Sequence, residues 1–563
     1  MYGTTIPNAV LDPNTRRVCS AKIKHQNCVN NLPPVATLDA QRRMRLLPTT
    51  AFFRASFTRP LASRIHRTAF STTQFMSEKR DYSTMSEPDF SALFKKIDEL
   101  KPQFIDRLRK AVEIPSVSGD ESLRPQVVKT AEFLKAELEA LGAEDIELRE
   151  LGTQPPPVAD ANLQLPPIVL SRFGKDPSKK TVLVYGHYDV QPAALEDGWN
   201  TDPFKLVEKN DVLYGRGSSD DKGPVMGWLN CIQAHRELGL ELPVNLITCF
   251  EGMEESGSLG LDALIAKEAT GYFKGVDAVT ISDNYWLGTT KPVLTYGLRG
   301  VNYYQITVKG PAADLHSGLF GGIVAEPMTD LVKILATLVD TDGKILIKGI
   351  DEQVKKLTEE EDKLYDDIEF DVEVLNQATG SDTALYKTKK DILQHRWRYP
   401  SLSIHGIEGA FSEAGAKTVI PAKVKGKFSI RTVPDISSEK LTQLIVDHVN
   451  EQFKLLNSPN TCEAELIHDG DYWLSDPFND NFTAARKATK AVWNIDPDLT
   501  REGGSIPITL TFEKELKTSV LLLPIGRGDD GAHSTNEKLD VSNYIEGVKT
   551  QSAYLHYYAQ GSQ

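Results

Sequence analysis

Long apolar runs are missing from this chain. None approaches the ~20 residues of a membrane span, and the mean hydropathy is -0.31. Cysteine is scarce as well: the five present, Cys19, Cys28, Cys231, Cys249 and Cys462, form no C-x-x-C pair and no dense framework. That argues against a disulfide scaffold and a cysteine-held structural zinc, and it reads as reduced thiols in an intracellular compartment. Positive charge is short in the body of the chain. Residues 1–84 carry 13 Lys/Arg against 4 Asp/Glu, which leaves 51 against 74 for the remainder. A body this acidic argues against nucleic acid or an anionic membrane as partner. No internal repeat is visible.

What is present is a chain of 563 residues, 40% apolar and 25% charged, long for one core and short for more than about three domains. Within the first 84 residues, Arg42, Arg43, Arg45, Arg54, Arg59, Arg64 and Arg67 stand in a Ser/Thr-rich stretch with no acid. That is the composition of a mitochondrial presequence. The preceding 40 residues fit it less well, and Met44 and Met85 both offer alternative starts. An import signal and a tail outside the fold both stay open.

Folded sequence is expected from about Pro88. Apolar residues from Phe90 to Leu108 recur at helical spacing, and a second amphipathic helix is expected over Leu123–Leu141. Strands follow at DIELRE, Ile168–Phe173 and Thr181–Tyr185, with a Pro-rich loop from Gly152. Helices are expected at PVMGWLNCIQAHRELG and SLGLDALIAKEA. This alternation predicts an α/β layered domain with a largely parallel sheet. Residues 293–310 alternate like one edge strand. With a helix at Pro327–Leu338, strands at KGKFSIRTVPD and TCEAELIHD and a helix capped by Ser437 or Ser438, they predict a smaller inserted α+β domain. The expected division is 88–292 and 478–563 for the larger domain and 293–477 for the insert.

Three apolar runs each end in potential ligands: GHYD with His187 and Asp189, EGMEES with Glu254 and Glu255, and ISD with Asp283. GRGSSDDKG adds Asp220 and Asp221, and GDDGAHSTNE adds His533. Open α/β sheets gather ligands at the C-terminal ends of their strands. Singly, each of these residues is more often a capped loop end or a solvated acid. Together they point to a metal site, because neighbouring buried carboxylates repel unless a cation compensates. Histidine with carboxylates favours zinc or manganese over calcium.

GHYDVQP, LYGRGSSDDKGPV, EGMEESGS, DLHSGLFGG, REGGSIP and GRGDDGAHSTNE together resemble the M20 family of di-metal peptidases, in its carnosinase-like branch. The resemblance covers residues 88–560. It implies a layered catalytic domain with an inserted lid and dimerisation domain, and two divalent ions, Zn2+ or Mn2+, held by His187, Asp220, Glu255, Asp283 and His533. Asp220 would bridge them, with a cis peptide to Asp221. Asp189 would orient His187, and Glu254 would be the general base. His316 would reach the partner subunit's site in a homodimer and stabilise the oxyanion. Arg431, flanked by Thr418 and Ser505, would clamp the substrate carboxylate. The implied activity is dipeptide hydrolysis, with Cys-Gly from glutathione breakdown as substrate. The implied setting is the cytoplasm, with assembly alongside other glutathione-degrading proteins. An aminoacylase acting on N-acyl amino acids and a non-catalytic adaptor are the competing expectations.

Overall fold

The computed structural model describes residues 88–154, 163–381 and 383–561. The Arg-rich stretch and most of the Pro-rich loop after Gly152 lie outside them. The largest sheet has nine strands. At its centre Asn245–Glu251, Thr181–His187 and Ala278–Ile281 run parallel side by side, and Ser519–Leu522 continues the parallel run beyond Ala278–Ile281. Glu144–Arg149 and Ile168–Phe173 extend the sheet antiparallel on the other side. Every residue of Asn245–Glu251 is buried, because parallel strands in such a sheet are covered on both faces. Successive residues show the two layers. Tyr185 packs edge-on against Phe512 of helix Ile508–Leu516. Gly186 faces the opposite way, where an added Cβ would lie 2.6 Å from Val225 of helix Lys222–Glu237. Ser91–Val112 and Val541–Gln560 pack with that second helix. The expected α/β layered class is the one found.

The stretch 293–310 is two strands, neither of them an edge strand. Val293–Leu298 belongs to the nine-stranded sheet, paired with Asp498–Glu502 and Trp473–Leu474. Gly300–Lys309 lies inside a separate four-stranded antiparallel sheet, between Lys423–Thr432 and Thr461–Gly470. Arg299 alone separates the two strands. The smaller sheet has its own core, where Ile306, Val308 and Phe428 meet Leu331 of helix Pro327–Leu335 and Ile445 of helix Ser438–Leu456. Ser437 is the cap of the latter, its side chain accepting from the Lys440 N–H. That bond is worth about 1 kcal/mol. Helix Lys389–Trp397 and the edge strand Ser401–Glu408 carry no sequence signal recognised above. The helix gives Leu393 and Trp397 to a third apolar cluster, with Tyr365, Ile368 and Trp286.

Candidate metal centre

Parallel neighbours end together, and this places the chemistry. His187 stands opposite Glu251 at the end of one strand pair, and Tyr185 stands opposite Ile281 in the other. The turns that follow deliver Glu254, Glu255 and Asp283 to the same edge of the sheet. Asp220 arrives from the turn before helix Lys222–Glu237, and its peptide bond to Asp221 is cis. His533 arrives from the turn after Ser519–Leu522.

The two oxygens of Asp220 face different imidazoles. Oδ1 lies 3.1 Å from His187 Nε2 and Oδ2 lies 3.2 Å from His533 Nε2. His187 Nε2 is also 3.6 Å from Asp283 Oδ1, and His533 Nε2 is 3.0 Å from Glu255 Oε2. Two donor triads result, His187–Asp220–Asp283 and Asp220–Glu255–His533, each with its ligand atoms within 4.8 Å of one another. Nitrogen with carboxylate oxygen is a donor set for a divalent transition ion. The electrostatics fit one as well. Burial pushes Glu254, Glu255 and Asp283 above the usual carboxylate range. Burial also raises Asp221, whose Oδ1 has no hydrogen-bond partner among the described residues. Asp220 goes the other way, since hydrogen bonds to His187 and His533 outweigh its burial. Bonds to Asp220 and Glu255 push His533 up to about 10. The carboxylates thus favour positive charge where the imidazoles meet them, and divalent cations supply it.

Asp189 is fully buried and does more than the sequence suggested. His187 Nδ1 lies 3.1 Å from the Asp189 carbonyl oxygen and 3.4 Å from its carboxylate. The carboxylate also accepts the backbone N–H groups of Glu254 and Glu255. Among the described residues no hydrogen bond reaches the Glu254 side chain, while Glu255 Oε2 accepts from the Gln191 side chain at 2.7 Å. Gln191 and Glu537 are polar neighbours of the site that the sequence reading passed over. Glu537 accepts the backbone N–H of Asp220 at 3.1 Å; its only signal was a place four residues beyond His533. A third acidic group, Asp529, Asp530 and Asp540, already surrounds Lys538 Nζ at 2.8–3.1 Å.

Arg431 Nη1 donates to Ser505 Oγ at 2.9 Å, and Ser505 in turn donates to the Arg299 carbonyl oxygen at 2.5 Å. Among the described residues no carboxylate pairs with Arg431. Asp435, its nearest acid in sequence, is taken by Lys355 at 3.1 Å. Thr418 lies beside His316: Leu315–His316 pairs with Val419–Ile420, and the Ser317 N–H donates to the Thr418 carbonyl. His316 is exposed, and its Nδ1 accepts the Gly318 N–H at 3.0 Å. The neutral ring therefore carries its proton on Nε2.

The model of peptidase family M20/M25/M40 matches residues 183–557. The chain is 71% identical to the Cys-Gly metallodipeptidase DUG1 of Candida albicans over 480 residues, 85% of this chain and 99% of that protein. The solved structure of the Saccharomyces cerevisiae dipeptidase Dug1p superposes with a TM-score of 0.80 at 67% identity, covering 84% of this chain and 99% of that one. Human carnosine dipeptidase 1 gives a TM-score of 0.79 at 42% identity, covering 84% of this chain and all of that one.

Proposed function

The chain belongs to peptidase family M20/M25/M40, in its carnosinase-like branch, and from that premise we propose a metal-dependent dipeptidase that hydrolyses short peptides with free termini, Cys-Gly in glutathione degradation above all. The observation that carries this reading is the Asp220 carboxylate, turned with one oxygen to each of two donor triads, with a Glu254 carboxylate that no hydrogen bond occupies among the described residues. Two divalent ions, zinc or manganese, would be held by His187, Asp220 and Asp283 and by Asp220, Glu255 and His533. Bound there, they would lower the pKa of a water and polarise the scissile carbonyl.

The chain's own residues do the rest. Glu254 takes the proton of the attacking water and returns it to the leaving amine. Asp189 holds Glu254 and Glu255 by their backbone N–H groups and fixes His187. Arg431, half-buried and without a carboxylate partner among the described residues, clamps the substrate's C-terminal carboxylate with Ser505 beside it. His316 supplies an Nε2–H to the oxyanion from across a homodimer. Its exposure supports this, as do the exposed Leu319 and Ile323 on its loop. Thr418, tied to that loop, would enter the partner subunit's site with it. The four-stranded sheet and its helices then form the lid and dimerisation domain.

In location the protein would act in the cytoplasm, with the Arg-rich stretch directing a mitochondrial form and other glutathione-degrading proteins as companions. Among the described residues no helix is long and apolar enough to cross a membrane. Initial rates on Cys-Gly, β-Ala-His, Leu-Gly, a tripeptide and an N-acetyl amino acid, each with zinc or manganese, test the reading. Cys-Gly is expected fastest. A faster N-acetyl amino acid would make the protein an aminoacylase, and no turnover with either metal would leave only the adaptor.

A further inference from the structure

His533 is held least by its own packing among the donors of its triad. Its side chain is 58% exposed, against 8% for Asp220 and 4% for Glu255, and its backbone is left-handed with a φ of 58°. A donor on an exposed turn is placed by whatever fastens the turn. Four residues on, Glu537 is fully buried and fastens it twice. Its carbonyl oxygen accepts the Gly215 N–H at 3.0 Å. Its side chain gathers the turn that carries Asp220: Oε2 accepts from Arg216 Nη1 at 2.8 Å and the Gly217 N–H at 3.0 Å. Oε1 accepts the N–H groups of Ser219 at 2.9 Å and Asp220 at 3.1 Å, and the Ser219 hydroxyl at 3.2 Å. Arg216 closes the loop by donating Nη2 to the carbonyl of Ser534, next to His533, at 3.2 Å. Every bond the carboxylate makes is accepted, the pattern of an ionised group.

We propose that Glu537 is a positioning residue that sets His533 against Asp220, and through them the affinity of the Asp220–Glu255–His533 triad for its ion. The proposal rests on the two-ion reading above. The other triad depends on Glu537 much less. His187 and Asp283 follow the central strands Thr181–His187 and Ala278–Ile281, whose placement comes from the sheet itself. Asp220 is common to both triads, but its Oδ1 side is also bounded by the buried His187. Loss of Glu537 therefore acts mainly where the exposed histidine is needed.

The test is titration of metal-free protein with Mn2+, free ion being read by electron paramagnetic resonance, for wild type, Glu537→Gln and His533→Ala. Wild type is expected to bind two ions per chain. Glu537→Gln is expected to keep one at wild-type affinity and to bind the other at least ~10-fold more weakly, as loss of a residue behind a metal ligand typically does. His533→Ala is expected to lose the same ion. Two ions bound by Glu537→Gln at wild-type affinity would overturn the proposal, and so would equal weakening of both. Wild type that binds fewer than two ions would instead bring down the two-ion reading, and the proposal with it. Should circular dichroism show Glu537→Gln unfolded, Glu537→Asp takes its place. It keeps the charge facing Arg216, withdraws the carboxylate by one methylene, and is expected to show the same selective loss at smaller size; its absence would equally overturn the proposal.

Discussion

Asp189 Oδ1 accepts the backbone N–H of Glu254 at 3.2 Å, while its Oδ2 accepts that of Glu255 at the same distance. One buried carboxylate thus fixes both the proposed base and a proposed ligand. Asp189→Asn turns an amide N–H toward a backbone N–H, so kcat and metal affinity should both fall, by roughly 10–100-fold. Glu254→Gln should separate the two: metal content near wild type by elemental analysis, with kcat lower by at least ~100-fold. Near-normal turnover in Glu254→Gln would remove Glu254 from the mechanism.

Among the described residues Arg431 reaches Ser505 but no carboxylate, which leaves its charge for a ligand. Arg431→Ala should raise KM for Leu-Gly by at least ~10-fold, the loss of a charge-assisted hydrogen-bond pair. For Leu-Gly-amide the change should be small. Equal losses on the two substrates would assign Arg431 another task.

His316 is exposed, and its Nδ1 is taken by the Gly318 N–H. If it works across a homodimer, His316→Ala and Glu254→Gln should each be nearly inactive alone. Mixing them under subunit exchange should restore up to roughly a quarter of wild-type activity, since half the dimers are mixed and each has one intact site. Heterodimers confirmed by mass that stay inactive would place His316 in cis or outside catalysis.

Between helices Lys222–Glu237 and Val541–Gln560, His235 and His556 meet with their Nε2 atoms 3.0 Å apart. His235 Nδ1 donates to the Cys231 carbonyl at 2.8 Å, so its Nε2 accepts from His556. Burial lowers both pKa values, that of His556 to about 4, where the neighbouring ring adds to the effect. Below the ordinary 6.5 the unfolded chain takes up protons that the folded pair refuses. The stability from this neutral pair is thus whole above pH ~6.5 and drains away toward pH ~4. Thermal melts should show a fall in Tm from pH 7 to pH 5. That fall should be about 1–2 °C smaller in His556→Gln, which keeps a donor and cannot titrate. An equal fall in both proteins would show that other groups set the acid limit.

The ends of the central strands were legible in the sequence because their apolar runs are bounded by polar turns. Val182–Tyr185 and Leu246–Phe250 are buried throughout, and His187, Glu254, Glu255 and Asp283 follow from where those runs stop. Glu537 was not legible. A buried glutamate within STNEK has no period to betray it, and its burial depends on backbone N–H groups some 320 residues away. Residues 293–310 misled for a related reason. Pairing on both flanks, in two different sheets, leaves the same alternation as an edge strand, and only the pairing shows the break at Arg299. The neighbourhood of Thr418 and His316 was not legible either: about 100 residues separate them, and only the bridge between Leu315–His316 and Val419–Ile420 brings them together.

Order along the chain has a consequence for synthesis. Asp283 leaves the ribosome about 250 residues before His533 and its clamp Glu537, an interval of roughly 12–50 s at ordinary elongation rates. Through that time the sheet edge presents His187, Asp220, Glu255 and Asp283 without the donor that completes the second triad. A nascent chain thus holds every donor of one triad, while the other stays incomplete until translation is nearly done.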